Sequence, residues 1–293
     1  MKGGFILVNK EQSITSSHLD SLIKRSGMFS RIGHLGTLDR LATGLMIIMV
    51  DDSTRCAKYF DESSKEYVIT VRFGSTSNSL DYDQPLMNTI DSDLRGKEVL
   101  IDKALDELKL RNTQIPPKYS AIKIDGRRYS DLSRESVEFT LKERKVRLLE
   151  VERLTDVSYL EGQSYVTLRC HVTKGFYVRS LARDLGELLN VPSMAHSIER
   201  TKVGQFDIND ACTASDIANG NYKLINPLDY LNFEKVVVND SMKNTILNGV
   251  RIPSSVSKSK DYIKIYSKDD ECLAIYKYDE EEKVFKMDYL VKR

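Results

Sequence analysis

The chain has 293 residues, with 44 Lys and Arg against 43 Asp and Glu, a net charge of +1 at pH 7 and 41% apolar residues. That length suits one large domain, or a domain with a small appendage. The longest apolar run, Leu45 to Val50, stops at Asp51-Asp52, far short of the roughly 20 residues a bilayer-spanning helix needs.

The opening M-K-G-G-F-I-L-V-N-K turns polar too soon for a signal peptide and reads as a short strand over Phe5 to Val8. Ser16-Ser17 are expected to cap a helix with Leu19, Leu22 and Ile23 on one face. Then comes Ser30 to Leu45, S-R-I-G-H-L-G-T-L-D-R-L-A-T-G-L, in which Gly33, Gly36 and Gly44 bracket one carboxylate, Asp39. Glycine at this density marks backbone that needs positive φ or a close approach to another chain. A carboxylate on such a loop, between Leu38 and Leu41, is either a turn cap or a working acid, base or nucleophile. Leu45 to Val50 reads as a buried strand, and Ser53 as the cap of a helix with Cys56, Ala57 and Phe60 inward.

Lys65 to Gly74 alternates cleanly, placing Tyr67, Ile69, Val71 and Phe73 on one face of a strand. A helix is expected around Ala104 to Leu110. The double proline Pro116-Pro117 then forces an extended entry into a strand over Tyr119 to Ile124, followed by a helix near Tyr129 to Arg134. Tyr165 to Thr173 is another alternating strand. A helix from Phe176 to Leu189 buries Val178, Leu181, Ala182, Leu185 and Leu188, with Arg179 and Arg183 on its polar side. From Val236 the sequence gives short strands joined by charged turns, a small all-β unit.

These elements predict an α+β fold: a mixed, largely antiparallel central sheet flanked by helices, with a small C-terminal β domain. The expected domains are 1–230 and 236–293. No glycine stretch matches a P-loop or a dinucleotide fingerprint. The four cysteines (Cys56, Cys170, Cys212, Cys272) have no C-x-x-C spacing, which argues against zinc fingers and disulfides and for reduced thiols in a cytoplasmic protein. Basic residues cluster at Lys123 to Arg128 and Lys142 to Arg147.

Gly33 to Asp39, G-H-L-G-T-L-D, resembles the catalytic segment of the TruB family of tRNA pseudouridine synthases. Four further segments resemble that family in the same order: Lys65-Glu66-Tyr67 leading to Phe73-Gly74; Gln114 to Ala121, Q-I-P-P-K-Y-S-A, with Ile122 to Gly126; Lys174 to Arg179, K-G-F-Y-V-R, with Asp184-Leu185-Gly186; and Ala195-His196 with Ile198, Arg200 and Thr201. The resemblance covers Gly3 to Phe206, and the tail is similar in position and length to a PUA-type domain. The chain departs from the family pattern at Asn9-Lys10-Glu11, where D-K-P is usual. It departs again at Arg40, in place of a proline, in the loop Ser75 to Asp81, and at Gln84.

The resemblance implies a pseudouridine synthase fold and the conversion of the T-loop uridine at position 55 of tRNA to pseudouridine, without cofactor or metal. It implies that Asp39 is the catalytic carboxylate, acting by attack at C1′, attack at C6 or removal of the C2′ proton. Arg179 would pair with Asp39, and Tyr67 would face the uracil ring and serve proton transfer. His34 would fill the stack left by the flipped base, and Tyr177 and Ile198 would line the pocket. Arg200 is expected among the substrate-binding residues, and Lys123, Arg127, Arg128, Lys145 and Arg147 among the phosphate contacts. Two other readings compete: a tRNA-folding factor that binds the T-arm without needing catalysis, and a retaining sugar hydrolase, which requires a second carboxylate paired with the first.

Overall fold

In a computed structural model of the chain, which describes residues 3–291 apart from 61–62, 121, 125, 136 and 138, nine strands of the first 207 residues join in one sheet. Its strands are β1 (Gly3–Lys10), β2 (Ile32–Leu35), β3 (Thr43–Asp51), β4 (Lys65–Phe73), β5 (Leu148–Arg153), β6 (Ser158–Leu160), β7 (Gln163–Val172), β8 (Ser193–Val203) and β9 (Phe206–Asp207). The order is β1-β3-β8-β4-β7-β5, with β2 on β3, β6 on β7 and β9 on β8. Every pairing is antiparallel except β8 with β3.

Of the inward face read for β4, Tyr67 is only partly buried and the rest is fully so. Ile69, Val71 and Phe73 of β4 and Val166, Leu168, Cys170 and Val172 of β7 share one core with three helices, α1 (Ser16–Arg25), α2 (Glu98–Leu110) and α4 (Val178–Leu189). The six-residue helix α3 (Tyr129–Arg134) lies in the segment before β5, and α5 (Ala214–Ala218) follows β9. Phe5, Leu7, Leu45, Ile47 and Met49 form a second core.

The sheet opens at its parallel junction. β8 meets β3 only at Glu199↔Thr43 and Arg200↔Gly44, whereas it follows β4 from Ser193 to Val203. Close approach at that junction requires Gly44, whose φ is +104°, because a Cβ there would lie 2.4 Å from the Arg200 carbonyl oxygen. Toward the start of β8, the Ala195 N–H turns instead to Leu80 O at 3.0 Å, and the Thr43 hydroxyl reaches Ile198 O. The Asp39 loop therefore sits where two halves of the sheet part.

A second sheet, β10 (Glu234–Val237), β11 (Ile252–Pro253), β12 (Tyr262–Tyr266), β13 (Cys272–Asp279) and β14 (Val284–Leu290), has the order β10-β12-β13-β14-β11. It is not all-β as expected, since α6 (Asp240–Leu247) packs against it and buries Ile246. It docks on the short 3-10 helix Asp52–Tyr59. Ile275 and Tyr289 enter the core of Phe5, Cys56 and Phe60, and Asp288 binds both the Tyr59 hydroxyl and the Lys58 ammonium.

Other local expectations are corrected. Thr15, not Ser16 or Ser17, caps α1 by accepting from His18 N. Leu22 is exposed. Ser53 lies inside its 3-10 helix, bonding Gly4 O and Val50 O. Among the described residues of the stretch 119–124, only the two-residue rung Lys123–Ile124 is strand.

Candidate active site

The loop from Gly36 to Arg40 is held at every carbonyl. Arg200 donates to Gly36 O (2.9 Å) and Thr37 O (3.5 Å), and the Ser16 hydroxyl to Leu38 O (2.9 Å). Asp39 O accepts from Ala42 N (3.2 Å), and Arg40 O from Ser13 N (2.9 Å) and the buried ammonium of Lys10 (3.5 Å). Ser16 Oγ also accepts from Leu38 N at 2.9 Å, so the residue before Asp39 is gripped on both its polar groups. A backbone fixed this thoroughly presents its side chain in one orientation without further reorganisation, as a catalytic group needs.

The side chain so presented is the carboxylate of Asp39, which is 42% exposed, and Arg179 Nε lies 2.8 Å from its Oδ2. Nε makes no aligned hydrogen bond there, so the contact is an ion pair. Arg179 comes from the first turn of α4. It was expected on that helix's polar side, yet its side chain is only 3% exposed, because the rest of the guanidinium binds protein: Ser79 O at 2.6 Å, Tyr119 O at 2.9 Å and Asp81 Oδ2 at 3.4 Å. Arg183, one turn on, binds Asp184 and Ile115 O instead.

Asp81, which sequence reasoning left in a divergent loop, is therefore a second carboxylate on Arg179. It is 1% exposed and accepts from Ser79 Oγ (2.5 Å) and Asp83 N (2.9 Å). Burial raises its pKa, opposed by the Arg179 charge and these hydrogen bonds. It does not line the small cavity beside Asp39. The only sequence signal was an aspartate in the serine-rich run S-T-S-N-S-L-D. Lys10, at the end of β1, is fully buried, with its ammonium on Glu11 O and Ile14 O at 2.9 Å. Burial lowers its pKa to about 8, against the Asp39 charge, which raises it, and with Arg200, which lowers it further.

Asp39, Tyr67, Tyr177, Arg179 and Ile198 meet around a cavity of about 130 Å³, completed by apolar Leu38, Ala42, Phe176 and Val178. Tyr67 sits near the start of β4, in line with its buried Ile69, Val71 and Phe73. Burial pushes the Tyr67 phenol pKa up, partly countered by the neighbouring Arg200 guanidinium, so the phenol is held protonated. Tyr177 is fixed by a reciprocal pair with Gln114, its N–H donating to Gln114 Oε1 (2.9 Å) and its carbonyl accepting from Gln114 Nε2 (3.2 Å). A wider groove of about 530 Å³ continues from Asp39 past Arg40, Tyr82 and Asp83 toward Arg134.

One expectation changes. Arg200, expected among the substrate contacts, is 1% exposed, and its guanidinium is taken up by Leu45 O (2.8 Å), Gly36 O and Thr37 O, so it positions the loop from behind. His34 stands on β2 outside the cavity lining, tethered to Asp20 (Nδ1 to Oδ2, 2.7 Å) and joined to the loop through Thr37 Oγ1 at 3.3 Å. Arg127 lies on an exposed hairpin rung, paired with Glu135, while the side chains of Lys123 and Arg128 lie outside the described residues. Lys145 and Arg147 are exposed. Among the described residues no three His, Cys, Asp or Glu side chains gather to hold a metal ion, and no helix is long and apolar enough to cross a membrane.

Comparison with known proteins matches residues 24–178 to the family described as TruB family pseudouridylate synthase (N terminal domain). The tRNA pseudouridine synthase B of Borreliella burgdorferi (strain ZS7) is 33% identical over 275 residues, covering 94% of this chain and 95% of that protein. The protein of the same name from Mycoplasma mobile is 30% identical over 265 residues, covering 90% of this chain and 88% of the relative. Among solved structures, a chain of an H/ACA ribonucleoprotein bound to a substrate RNA containing 2′-deoxyuridine superposes with a TM-score of 0.66 at 21% identity, covering 98% of this chain and 83% of that one. A chain of a Cbf5-Nop10-Gar1 complex gives 0.65 at 22% identity, covering 99% and 84%. Both share this fold.

Proposed function

The chain belongs to the TruB family of pseudouridylate synthases, and from that premise we propose that it converts the uridine at position 55 of tRNA, in the T-loop, to pseudouridine. The observation that carries this reading is the small cavity in which the Asp39 carboxylate and the Tyr67 phenol converge between apolar walls, with Arg179 paired to Asp39. The reaction breaks the N1–C1′ bond, turns the uracil, and joins C5 to C1′. The C5 proton leaves and N1 gains one, so the product is an isomer of the substrate.

A uridine stacked in a folded loop must first be flipped out, at a cost of a few kcal/mol. The cavity then receives the base, Ile198 and Phe176 provide apolar contact, and water is excluded from one side of the carboxylate. Arg179 stays paired with Asp39 as the nucleotide covers it, and its guanidinium offsets part of the solvation the carboxylate loses. The Tyr67 phenol, held protonated by its burial, gives its proton to N1 as the N1–C1′ bond breaks, and the phenolate so formed takes the proton that leaves C5. Residues 1–230 form the catalytic unit in this reading, and 236–293 an RNA-binding arm. His34 fills the stack that the base has left, and Arg127, Lys123 and Arg128 contact phosphate at the periphery.

An Asp39→Asn protein tests the proposal with T-arm RNA. It is expected to bind the RNA with near wild-type affinity and to leave uridine 55 unconverted. Conversion at the wild-type rate would refute the assignment.

A further inference from the structure

Arg40 follows the catalytic aspartate directly and stands where the family pattern has proline. Its place in the loop does not depend on that proline's stiffness, because its carbonyl is already held by Ser13 N and Lys10. Its side chain is 61% exposed and lines the wider groove that leads from Asp39. There it meets Asp83, with Nε 3.7 Å from Oδ1, beyond hydrogen-bond reach. Arg134, the other arginine at the far side of this groove, is closer to its own partner, Asp131, at 3.2 Å. Arg179 is buried on Asp39 and Asp81. Arg40 is thus the most loosely engaged guanidinium facing the groove among the described residues.

An exposed ion pair at that distance contributes little, whereas a guanidinium grips a phosphate through two parallel, charge-assisted hydrogen bonds. Asp39 and Asp83 line the same groove, so an RNA backbone entering it meets like charge unless a cation intervenes. A nucleotide with its ribose against Asp39 carries its own phosphates to either side, within reach of the next residue. We propose that Arg40 binds the backbone phosphate adjoining the nucleotide held at Asp39, leaving Asp83 to do so. This rests on the reading of the groove as an RNA site.

The test uses the full chain and a T-arm hairpin RNA, with binding followed by fluorescence anisotropy across a range of salt. Arg40→Ala and Arg40→Pro are each expected to weaken binding about five- to tenfold and to lower the slope of log K against log salt by about 0.7–0.9, the loss of one phosphate contact. Asp83→Asn, which frees the guanidinium, is expected to tighten binding about twofold. A second measurement replaces the phosphates flanking the target uridine, one at a time, with neutral methylphosphonate. One of these hairpins should bind the wild type more weakly yet bind Arg40→Ala no worse than the unmodified RNA does. Wild-type affinity and salt slope in Arg40→Ala, or an equal methylphosphonate penalty in both proteins, overturns the proposal. A wild-type protein that neither binds nor converts the hairpin would instead overturn the functional reading on which it rests.

Discussion

Arg179 Nε lies 2.8 Å from Asp39 Oδ2, in a pair whose cation is almost fully buried and whose anion faces the cavity. The asymmetry means the arginine belongs to the framework, while the aspartate is left open to whatever enters the cavity. Arg179→Lys keeps the charge, but one ammonium cannot serve Asp39, Asp81, Ser79 O and Tyr119 O together. Single-turnover conversion is expected to slow by about 100-fold, equivalent to ~2.7 kcal/mol of transition-state stabilisation. The thermal transition should also fall, because partners of a buried charge are left unsatisfied. Wild-type turnover in the lysine variant would show that the bridging is not needed.

Gly44→Ala tests the parallel junction. The positive φ and the 2.4 Å approach to the Arg200 carbonyl together predict a loss of about 3 kcal/mol or more by chemical denaturation. Gly27, also at positive φ but with nothing within 4 Å of its would-be Cβ, is the control, and Gly27→Ala should cost about 1 kcal/mol. Equal losses would mean that strand approach at Gly44 contributes nothing.

Lys10 makes stability depend on alkaline pH in a defined direction. Its folded pKa, about 8, lies below the unfolded value of 10.5, so between those values the unfolded chain binds a proton that the folded chain lacks. Its contribution is therefore present above pH 10.5 and is lost as pH falls through about 8. Relative to Lys10→Met, the wild type should show unfolding free energy rising across that window. Parallel pH profiles for the two proteins would contradict this.

Removal of residues 234–293 should destabilise what remains. Ile275 and Tyr289 share a core with Phe5, Cys56 and Phe60, and each large side chain uncovered costs about 1.5–3 kcal/mol. The truncated protein is expected to melt at least about 5 °C below the full chain. An unchanged melting temperature would show that the first sheet needs no cover from the second.

The strands β4 and β7 were legible because one buried face gives an unbroken alternation. β8, at the centre of the sheet, was not recognised as a strand. Two register shifts, at Ala195/Ser197 and Arg200/Lys202, break its period, and much of its sequence, A-H-S-I-E-R-T-K, is polar. α6 escaped notice because only Ile246 of its eight residues is buried. That Asp39, Tyr67 and Arg179 come together was legible from the ordered segments. Asp81 was not, since its meaning lies in an arginine far along the chain. Arg200 was expected among the substrate contacts, and only its burial against the Leu45 and Gly36 carbonyls shows that it serves the loop instead.

The insertion of β8 between β3 and β4 has a consequence for how the molecule comes into being. The strand that ties the halves of the sheet together is supplied by residues 193–203, although its neighbours are complete by residue 73. Its pairings span long sequence separations, the kind of contact that slows folding. Until Arg200 arrives, Gly36 and Thr37 lack the donor that holds their carbonyls, and the loop bearing Asp39 is anchored only from Leu38 onward, by Ser16, Ala42, Ser13 and Lys10. A growing chain on the ribosome therefore carries Asp39 long before the loop around it is fully held. That hold is complete only when a distant strand closes the seam.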